Sequence, residues 1–503
     1  MNESIAQAWW FILLGYLSFF IYSFAIMLLG IIIEKKTKID KLICRKVTHI
    51  ISAFVWVISW FFFGCSIHWV IANGIGAISL AFVTFGKGFA VYERNDANKS
   101  YGLFYFGIST FFVALTCYLV HALIDDTLGM QLYYAAGIAY FCLALGDGFA
   151  PIIVSLLPKH NPMLVQNRSL FGTATVFAVS LISTMIFSAV FKLQLSFFFM
   201  LSIAALTCIS ELYGIKGLDN IMIDVFVFSY VALYYLGAAS PVFQLVVVLS
   251  PMLACLALLS GSLSYSGGVA TLVLFYLIGY FSSGRYLPIL YIGLMFLLAS
   301  VSSVITKKLK KRRGVKLKSS HARTGSQVLA VGAVAVVSLI LHDLTKQPIF
   351  NLLYYLCIAE QFADSISSDW GYFTKGNTID LVLGKPIPKG ISGGVSLLGT
   401  ILALVSAVLL LLVPFFLDAD MNAVCYAVAV VIAFMGTMLD SAFGSLLQAC
   451  YSCPQCGALT ETENHCGKAA VLIKGYACVK NVTVNFFASV GSFLLGLLLL
   501  VVI

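Results

Sequence analysis

Six carboxylates, Asp147, Glu211, Asp219, Asp364, Asp369 and Asp440, stand inside or at the edges of long apolar stretches. Charge is costly in such surroundings and is kept where it binds an ion, a proton or a substrate. Among them lie basic, hydroxyl and glycine-rich segments: Arg45-Lys46-Val47-Thr48-His49, Arg168-Ser169, and the run Gly384-Lys385-Pro386-Ile387-Pro388-Lys389-Gly390-Ile391-Ser392-Gly393-Gly394-Val395-Ser396. Carboxylates suit Mg²⁺, a hard cation that takes oxygen ligands. Cations and glycine-rich turns suit phosphate. These residue types point to metal-assisted handling of phosphate at a membrane.

In the first half, Arg45 and Lys46 precede His49 by four and three residues, so on a helix each shares a face with it. A helix start that bears cations can hold phosphate, although the same residues also make an ordinary basic flank. Gly146 and Gly148 bracket Asp147 and let another chain segment or a ligand come close. Arg168 offers a forked set of donors to phosphate, with Ser169 beside it. Glu211 precedes Asp219-Asn220 by eight residues, and a second carboxylate there can share a metal with Asp147.

In the second half, Asp364 and Asp369 are five apart. On an ideal helix they diverge, so a break between them is expected to bring them together. Lys385, Lys389, Ser392, Gly393 and Gly394 belong to a Pro- and Gly-rich loop whose backbone N–H groups can face phosphate at a helix start. The G-x-x-x-x-G-K-[ST] spacing of a Walker A loop is absent, and a tight re-entrant loop is the simpler alternative. Arg323 and Gln327 open another helix, and Asp440 sits alone in an apolar one. Most of the 13 cysteines are scattered singly, where they pack as small side chains. Cys453, Cys456, His465 and Cys466 form the exception. Four N/S ligands with this spacing suit structural zinc, yet adjacent His465 and Cys466 seldom reach one ion together, and free thiols are the other reading.

The elements that must position these groups follow from composition. Of the 503 residues 61% are hydrophobic and 10% are charged, with a mean hydropathy of +1.00. Soluble domains carry about 25% charged residues. Lipid admits only helices and closed barrels as spans, and runs such as Ala403–Phe416 lack the alternation of barrel strands. The fold expected is an all-α, polytopic bundle of about 16 helices, centred near 21, 56, 76, 112, 145, 180, 203, 229, 251, 275, 296, 334, 356, 405, 435 and 492. The first apolar stretch, Trp9 to Ile33, is too long for a signal-peptide core and reads as a retained helix.

With the N-terminus outside, the loops 34–47, 86–102, 158–169, 211–220, 306–324, 364–392 and 448–481 hold 27 of the 30 Lys and Arg residues and lie in the cytoplasm. The other side keeps Lys192, Arg285 and Lys346. Glycosylation at Asn98, Asn167 and Asn481 is then not expected, and a disulfide in the cysteine loop is disfavoured. The net charge of +9 reflects topology and anionic lipid rather than nucleic acid. The segment Lys307 to Lys318 reads as a polybasic membrane anchor. The organisation expected is a membrane domain over 1–240, connecting helices with the polybasic loop over 241–324, and a second membrane domain over 325–503.

Two resemblances sharpen this. The R-K-x-x-H helix start, G-D-G-x-A, the basic-Ser-x-x-Gly segment and Glu followed by Asp-Asn, in order over roughly 40–237, resemble the CTP-dependent polyprenol kinase family, which includes dolichol kinase and plant phytol kinase. That resemblance implies nucleotide and phosphate handling by Arg45, Lys46, His49, Asp147, Arg168, Ser169, Glu211, Asp219 and Asn220. Departures are Arg168-Ser169 where Lys-Ser is common, and Pro151 after the Gly-Asp-Gly stretch. From about 265 on, A-D-S-x-x-S-D at 363–369, G-K-P-I-P-K-G-I-S-G-G-V-S-L-L-G-T at 384–400, L-D-S-x-x-G at 439–444 and C-P-x-C-G-x-x-T-E with His-Cys-Gly at 453–467 resemble the membrane family that includes plant phytyl-phosphate kinase. Asn481-Val482-Thr483-Val484-Asn485 departs from it by lacking an expected Asp.

Together the resemblances imply two fused modules that phosphorylate an isoprenoid alcohol to its monophosphate and then its diphosphate, with CTP or another nucleoside triphosphate and Mg²⁺. Mg²⁺ is expected on Asp147 in the first module and on Asp364 and Asp369 in the second, with Asp440 nearby. The alternatives are a CTP-dependent cytidylyltransferase acting on a lipid phosphate, and a lipid or ion transporter with no kinase activity.

Overall fold

The computed structural model describes residues 9–36, 41–85, 101–157, 161–165, 168–214, 217–313, 322–376 and 378–500. The chain divides into two compact units, Met1–Pro251 and Met252–Ile503. The first contains α1 (Trp9–Lys36), α2 (Lys41–Ser52), α3 (Phe54–Phe62), α4 (Ile67–Phe85), α5 (Gly102–Leu123) and α6 (Asp126–Phe141). A π-helical segment, Cys142–Asp147, joins α6 to α7 (Gly148–Leu156). The hairpin of β1 (Met163–Val165) and β2 (Arg168–Ser169) follows, then α8 (Leu170–Val190), α9 (Phe197–Tyr213), α10 (Leu218–Tyr235) and α11 (Pro241–Leu259), which runs across the boundary.

The second unit continues with α12 (Tyr265–Phe281), α13 (Leu287–Arg312), α14 (Gly325–Thr345), α15 (Pro348–Gly371), α16 (Leu397–Leu417), α17 (Ala423–Leu446) and α18 (Asn481–Leu500). Two loops fold into small antiparallel sheets. One has the order β4-β3-β5, with β3 (Thr378–Asp380), β4 (Pro386–Ile387) and β5 (Gly394–Val395). The other has β6 (Cys450–Ser452) between β10 (Val471–Lys474) and β7 (Leu459–Thr460), beside the hairpin of β8 (Asn464–His465) and β9 (Lys468–Ala469). Each of the sixteen expected centres falls within a helix.

Side-chain caps start many of the helices. Asp125, Ser169, Ser196, Ser264, Ser396 and Asn422 each accept a hydrogen bond from a backbone N–H of the following turn, and Thr324 forms a capping box with Gln327. Such a cap satisfies a donor that has no partner within the helix. Among the described residues, 12 helices are long and apolar enough to cross a membrane, and three shorter apolar ones accompany them. The outer faces are apolar: Leu13, Leu17, Ile21, Phe82, Leu409 and Leu498 are all exposed. An apolar exterior on this scale belongs in lipid.

In the first unit Trp56 is buried against Tyr133, Phe187 and Phe191, with ring centroids 5.1–5.5 Å apart. The cluster closes over Gly137, where a Cβ would lie 2.5 Å from Phe187 and 2.6 Å from Trp56. In the second unit α15 is the central rod. It packs on α13, α14, α16, α17 and α18, and Leu353 through Glu360 are each 0% exposed. A helix apolar on all sides belongs inside a bundle, and this one delivers Asp364 and Asp369 at its C-terminal end. Helix α15 runs unbroken through both residues, so the expected break between them is absent.

Gly436 on α17 is where three of these rods meet. A Cβ there would lie 2.1 Å from Ser492 Oγ and 2.5 Å from Glu360 Cγ. Gly436→Val is therefore expected to destabilise the second unit by about 1–3 kcal/mol, seen as a lower unfolding midpoint in detergent. An unchanged midpoint would contradict this packing.

Candidate functional site

In the first unit the sequence-predicted residues meet at one place. Helix α2 brings Lys46 and His49 to Asp147, which ends the π-helical segment and is 2% exposed. Lys46 makes an ion pair with Asp147 Oδ2, and His49 Nδ1 lies 3.6 Å from the same oxygen. The flanking glycines admit close neighbours: a Cβ at Gly146 would lie 2.5 Å from Ser180 Oγ, and one at Gly148 would lie 2.5 Å from Ile50 Cγ1. Arg45 lies on α2, but its side chain falls outside the described residues.

Arg168 on β2 divides its fork between two carboxylates. Nη1 is 2.5 Å from Glu211 Oε1 at the end of α9, and Nη2 is 2.8 Å from Asp219 Oδ2 at the start of α10. Burial of the guanidinium disfavours its charge, but Glu211, Asp219 and then Asp147 more than offset this, and its pKa is raised. Ser169 caps α8 by accepting from Gly172 N–H (3.2 Å). Asn220 donates to the Gly102 carbonyl (2.8 Å) and so anchors the start of α5. Glu211 Oε2 is buried without a hydrogen-bond partner among the described residues. Three carboxylates against two permanent cations, with one orphaned oxygen, form a donor set that fits Mg²⁺.

In the second unit a cavity of about 580 Å³ gathers the other motifs. Asp364, Ser365, Ser368 and Asp369 of α15, Asp440 and Ser441 of α17, and Lys389 with Gly390–Ser396 all line it. Arg323, Gln327, Lys310, Glu461, Asn481 and Asn485 complete the polar part. Leu274, Phe275, Ile292, Met295, Phe296 and Val331 make an apolar wall in the same cavity. Arg323 acts electrostatically on Asp364, and Lys310 and Arg323 act on Asp369. The Asn485 amide, oriented by its neighbours, donates to Asp440 Oδ1 (3.3 Å) and to the Asn481 carbonyl (2.6 Å). Three acids with amide and hydroxyl oxygens thus line one cavity, and carboxylate oxygens are the ligand type that Mg²⁺ takes.

The glycine-rich loop is shaped by β3, β4 and β5. Gly393, at φ +86°, packs so closely on Ser445 that a Cβ would lie 2.7 Å from its backbone, and only glycine meets both demands. Lys389 donates to the Thr374 carbonyl (2.6 Å). Lys385, the other lysine expected to bind phosphate, is exposed and is not among the residues lining the cavity. Asp380, on β3 behind the loop, is 1% exposed. It accepts from the Ser445 hydroxyl, from Val382 and Leu383 N–H (3.1 and 3.0 Å), and from Lys474 (2.9 Å). Burial alone would raise its pKa, but the Ser445 hydroxyl, the Leu383 N–H, Lys474 and the Val382 N–H outweigh it and hold it at about 2.

Several of these residues escaped the sequence reading. Lys310 was hidden in the polybasic run, whose continuation over 314–321 lies outside the described residues. Asp380 and Lys474 carry no local signature, and Glu461 appears only as the last residue of the C-P-x-C-G-x-x-T-E motif. Glu360, fully buried on α15, bonds to Gln361 and Ser489 (2.9 and 2.8 Å). Asp224 is buried on α10. The four metal-type ligands Cys453, Cys456, His465 and Cys466 do converge, with their ligand atoms within 4.8 Å of one another.

Fold and sites together define a multi-pass helical integral membrane protein with two buried polar centres. Residues 248–492, a little under half of the chain, match the family described as integral membrane protein DUF92. No curated protein and no solved structure matches the chain.

Arg168→Gln should cost about 3–5 kcal/mol, because it strips two buried carboxylates of their counter-charge. Adding Glu211→Gln should restore part of the loss in thermal unfolding. Strictly additive losses would contradict a shared charge network.

Proposed function

We propose that this protein is a membrane-bound lipid kinase that phosphorylates an isoprenoid alcohol and then its monophosphate, with CTP as donor. The observation that carries the reading is the second cavity. One space joins an apolar wall, suited to a prenyl tail, to a floor of cations, acids and glycine-rich backbone, suited to phosphates. The first cluster likewise sets cations beside acids. In this reading both centres face the cytoplasm, where nucleotide is available, as an excess of Lys and Arg in the loops would favour.

In the first step the lipid hydroxyl oxygen attacks the γ-phosphorus of CTP. A new O–P bond forms, the β,γ-bridging P–O bond breaks, and CDP leaves, while the hydroxyl proton passes to a carboxylate of the cluster. Lys46, His49 and Arg168 orient phosphate oxygens and balance their charge. In the second step a phosphate oxygen of the lipid monophosphate attacks in the same way and brings no hydroxyl proton. Arg323, Lys310 and the loop Gly390–Ser396 orient the two phosphate groups. Mg²⁺ held by Asp147, Glu211 and Asp219, or by Asp364, Asp369 and Asp440, would supply charge neutralisation across the phosphate oxygens. Transfer of this kind rests on in-line positioning and electrostatics more than on covalent chemistry.

Purified protein with Mg²⁺ and γ-labelled CTP should label both a prenyl monophosphate and a diphosphate. Asp147→Asn should lower turnover of the alcohol by about 100-fold while still converting added monophosphate. Asp369→Asn should accumulate the monophosphate. Unchanged unfolding midpoints would show that the variants are folded. Lipid labelled from α-labelled CTP but not from γ-labelled CTP would mean cytidylyl transfer, and no lipid labelled from the γ-phosphate of any nucleoside triphosphate would overturn the kinase reading.

A further inference from the structure

We infer that Cys453, Cys456, His465 and Cys466 hold one zinc ion, and that this centre clamps the glycine-rich loop of the second cavity. The metal claim stands apart from the kinase reading; the clamp deepens it. Cys456 Sγ and Cys466 Sγ are 3.8 Å apart, and His465 Nδ1 lies 3.5 and 3.3 Å from them. A tetrahedral zinc with Zn–S of about 2.3 Å and Zn–N of about 2.0–2.1 Å puts sulfurs about 3.8 Å from each other and about 3.5 Å from nitrogen. A disulfide would need about 2.0 Å. The spacing is that of ligands around a shared ion.

The backbone explains how adjacent residues both reach it. Cys466 has φ +52°, a left-handed conformation that a side chain adopts at a cost. The turn brings the His465 ring and the Cys466 sulfur to one point, and the β8–β9 hairpin pairs His465 with Lys468 around it. On the other side Gly457, at φ +67°, donates to the Cys453 carbonyl (2.9 Å), and Cys453 N–H donates to the Ala458 carbonyl (3.0 Å). That tight knuckle presents both of its sulfurs inward.

The consequence lies next door. Strands β6 and β7 flank the knuckle, and Glu461, the residue after β7, accepts from Ser392 N–H of the glycine-rich loop (2.9 Å). Strand β10 pairs with β6 and carries Lys474 to Asp380 on β3 (2.9 Å). The cysteine module thus grips the loop's sheet at two points, and a metal that fixes the module fixes both.

Full-length protein purified in detergent without chelator should contain about one zinc per chain by elemental mass spectrometry. The Cys456→Ser/Cys466→Ser variant should hold less than about a tenth of that. Removing zinc should speed hydrogen exchange over residues 384–396, and adding zinc, but not magnesium, should restore protection. Folded wild-type protein free of zinc, or a variant with the same zinc content, would overturn the site. Exchange unchanged by zinc removal would overturn the clamp. Neither readout depends on catalysis, so failure of the kinase reading would be seen separately.

Discussion

A carboxylate among apolar helices must have a counter-charge within reach or give up its own charge. That constraint organises both units. Asp147 cannot be 2% exposed unless α2 brings Lys46 across to it. Glu211 and Asp219, on different helices, are held by the single fork of Arg168. The local backbone then follows the charge: a π-helical turn ahead of Asp147, glycines on both sides, a short hairpin that presents Arg168. Residues far apart in the chain are collected around these charges.

The second unit solves the same problem around a buried rod. Helix α15 is so fully enclosed that its last turns open directly into the polar cavity, with Asp364 and Asp369 both on the lining. The glycine-rich loop is anchored to its surroundings. It is tied into a three-stranded sheet, seated on Ser445 through Gly393, and backed by the ionised Asp380. A site built to hold several negative charges needs such preorganised donors, because flexible ones would have to be ordered at every binding event.

Much of this was legible in the sequence, and the reasons differ by element. The helices declared themselves because spans must be long and apolar. Lys46, His49, Asp147, Arg168, Glu211 and Asp219 were legible because charge in such sequence is rare, although residue type could not say that Arg168 would bridge two acids. Asp380 and Lys474 were not legible, since nothing in their neighbours marks them and they gain meaning only when strands pair, while Glu461 was visible in its motif but its bond to the glycine-rich loop was not. Lys310 was masked by the basic residues around it. Ideal helix geometry separates Asp364 from Asp369, yet both line the cavity from an unbroken helix. Lys385 was grouped with Lys389 by motif, yet the turn at Gly384, with φ +65°, leaves it outside the cavity.

The central claim is that the second cavity receives a nucleotide's phosphates on its polar floor beside a prenyl tail on its apolar wall. The most direct measurement is a structure of the protein in lipid nanodiscs with Mg²⁺, a CTP analogue that cannot transfer its γ-phosphate, and a prenyl monophosphate. The account predicts phosphate density against Gly390–Ser396 and Arg323, with a metal between it and Asp364, Asp369 and Asp440, and a lipid chain along Phe275, Ile292 and Met295. Saturating ligands that leave this cavity without nucleotide, or a nucleotide bound away from it, would contradict the account.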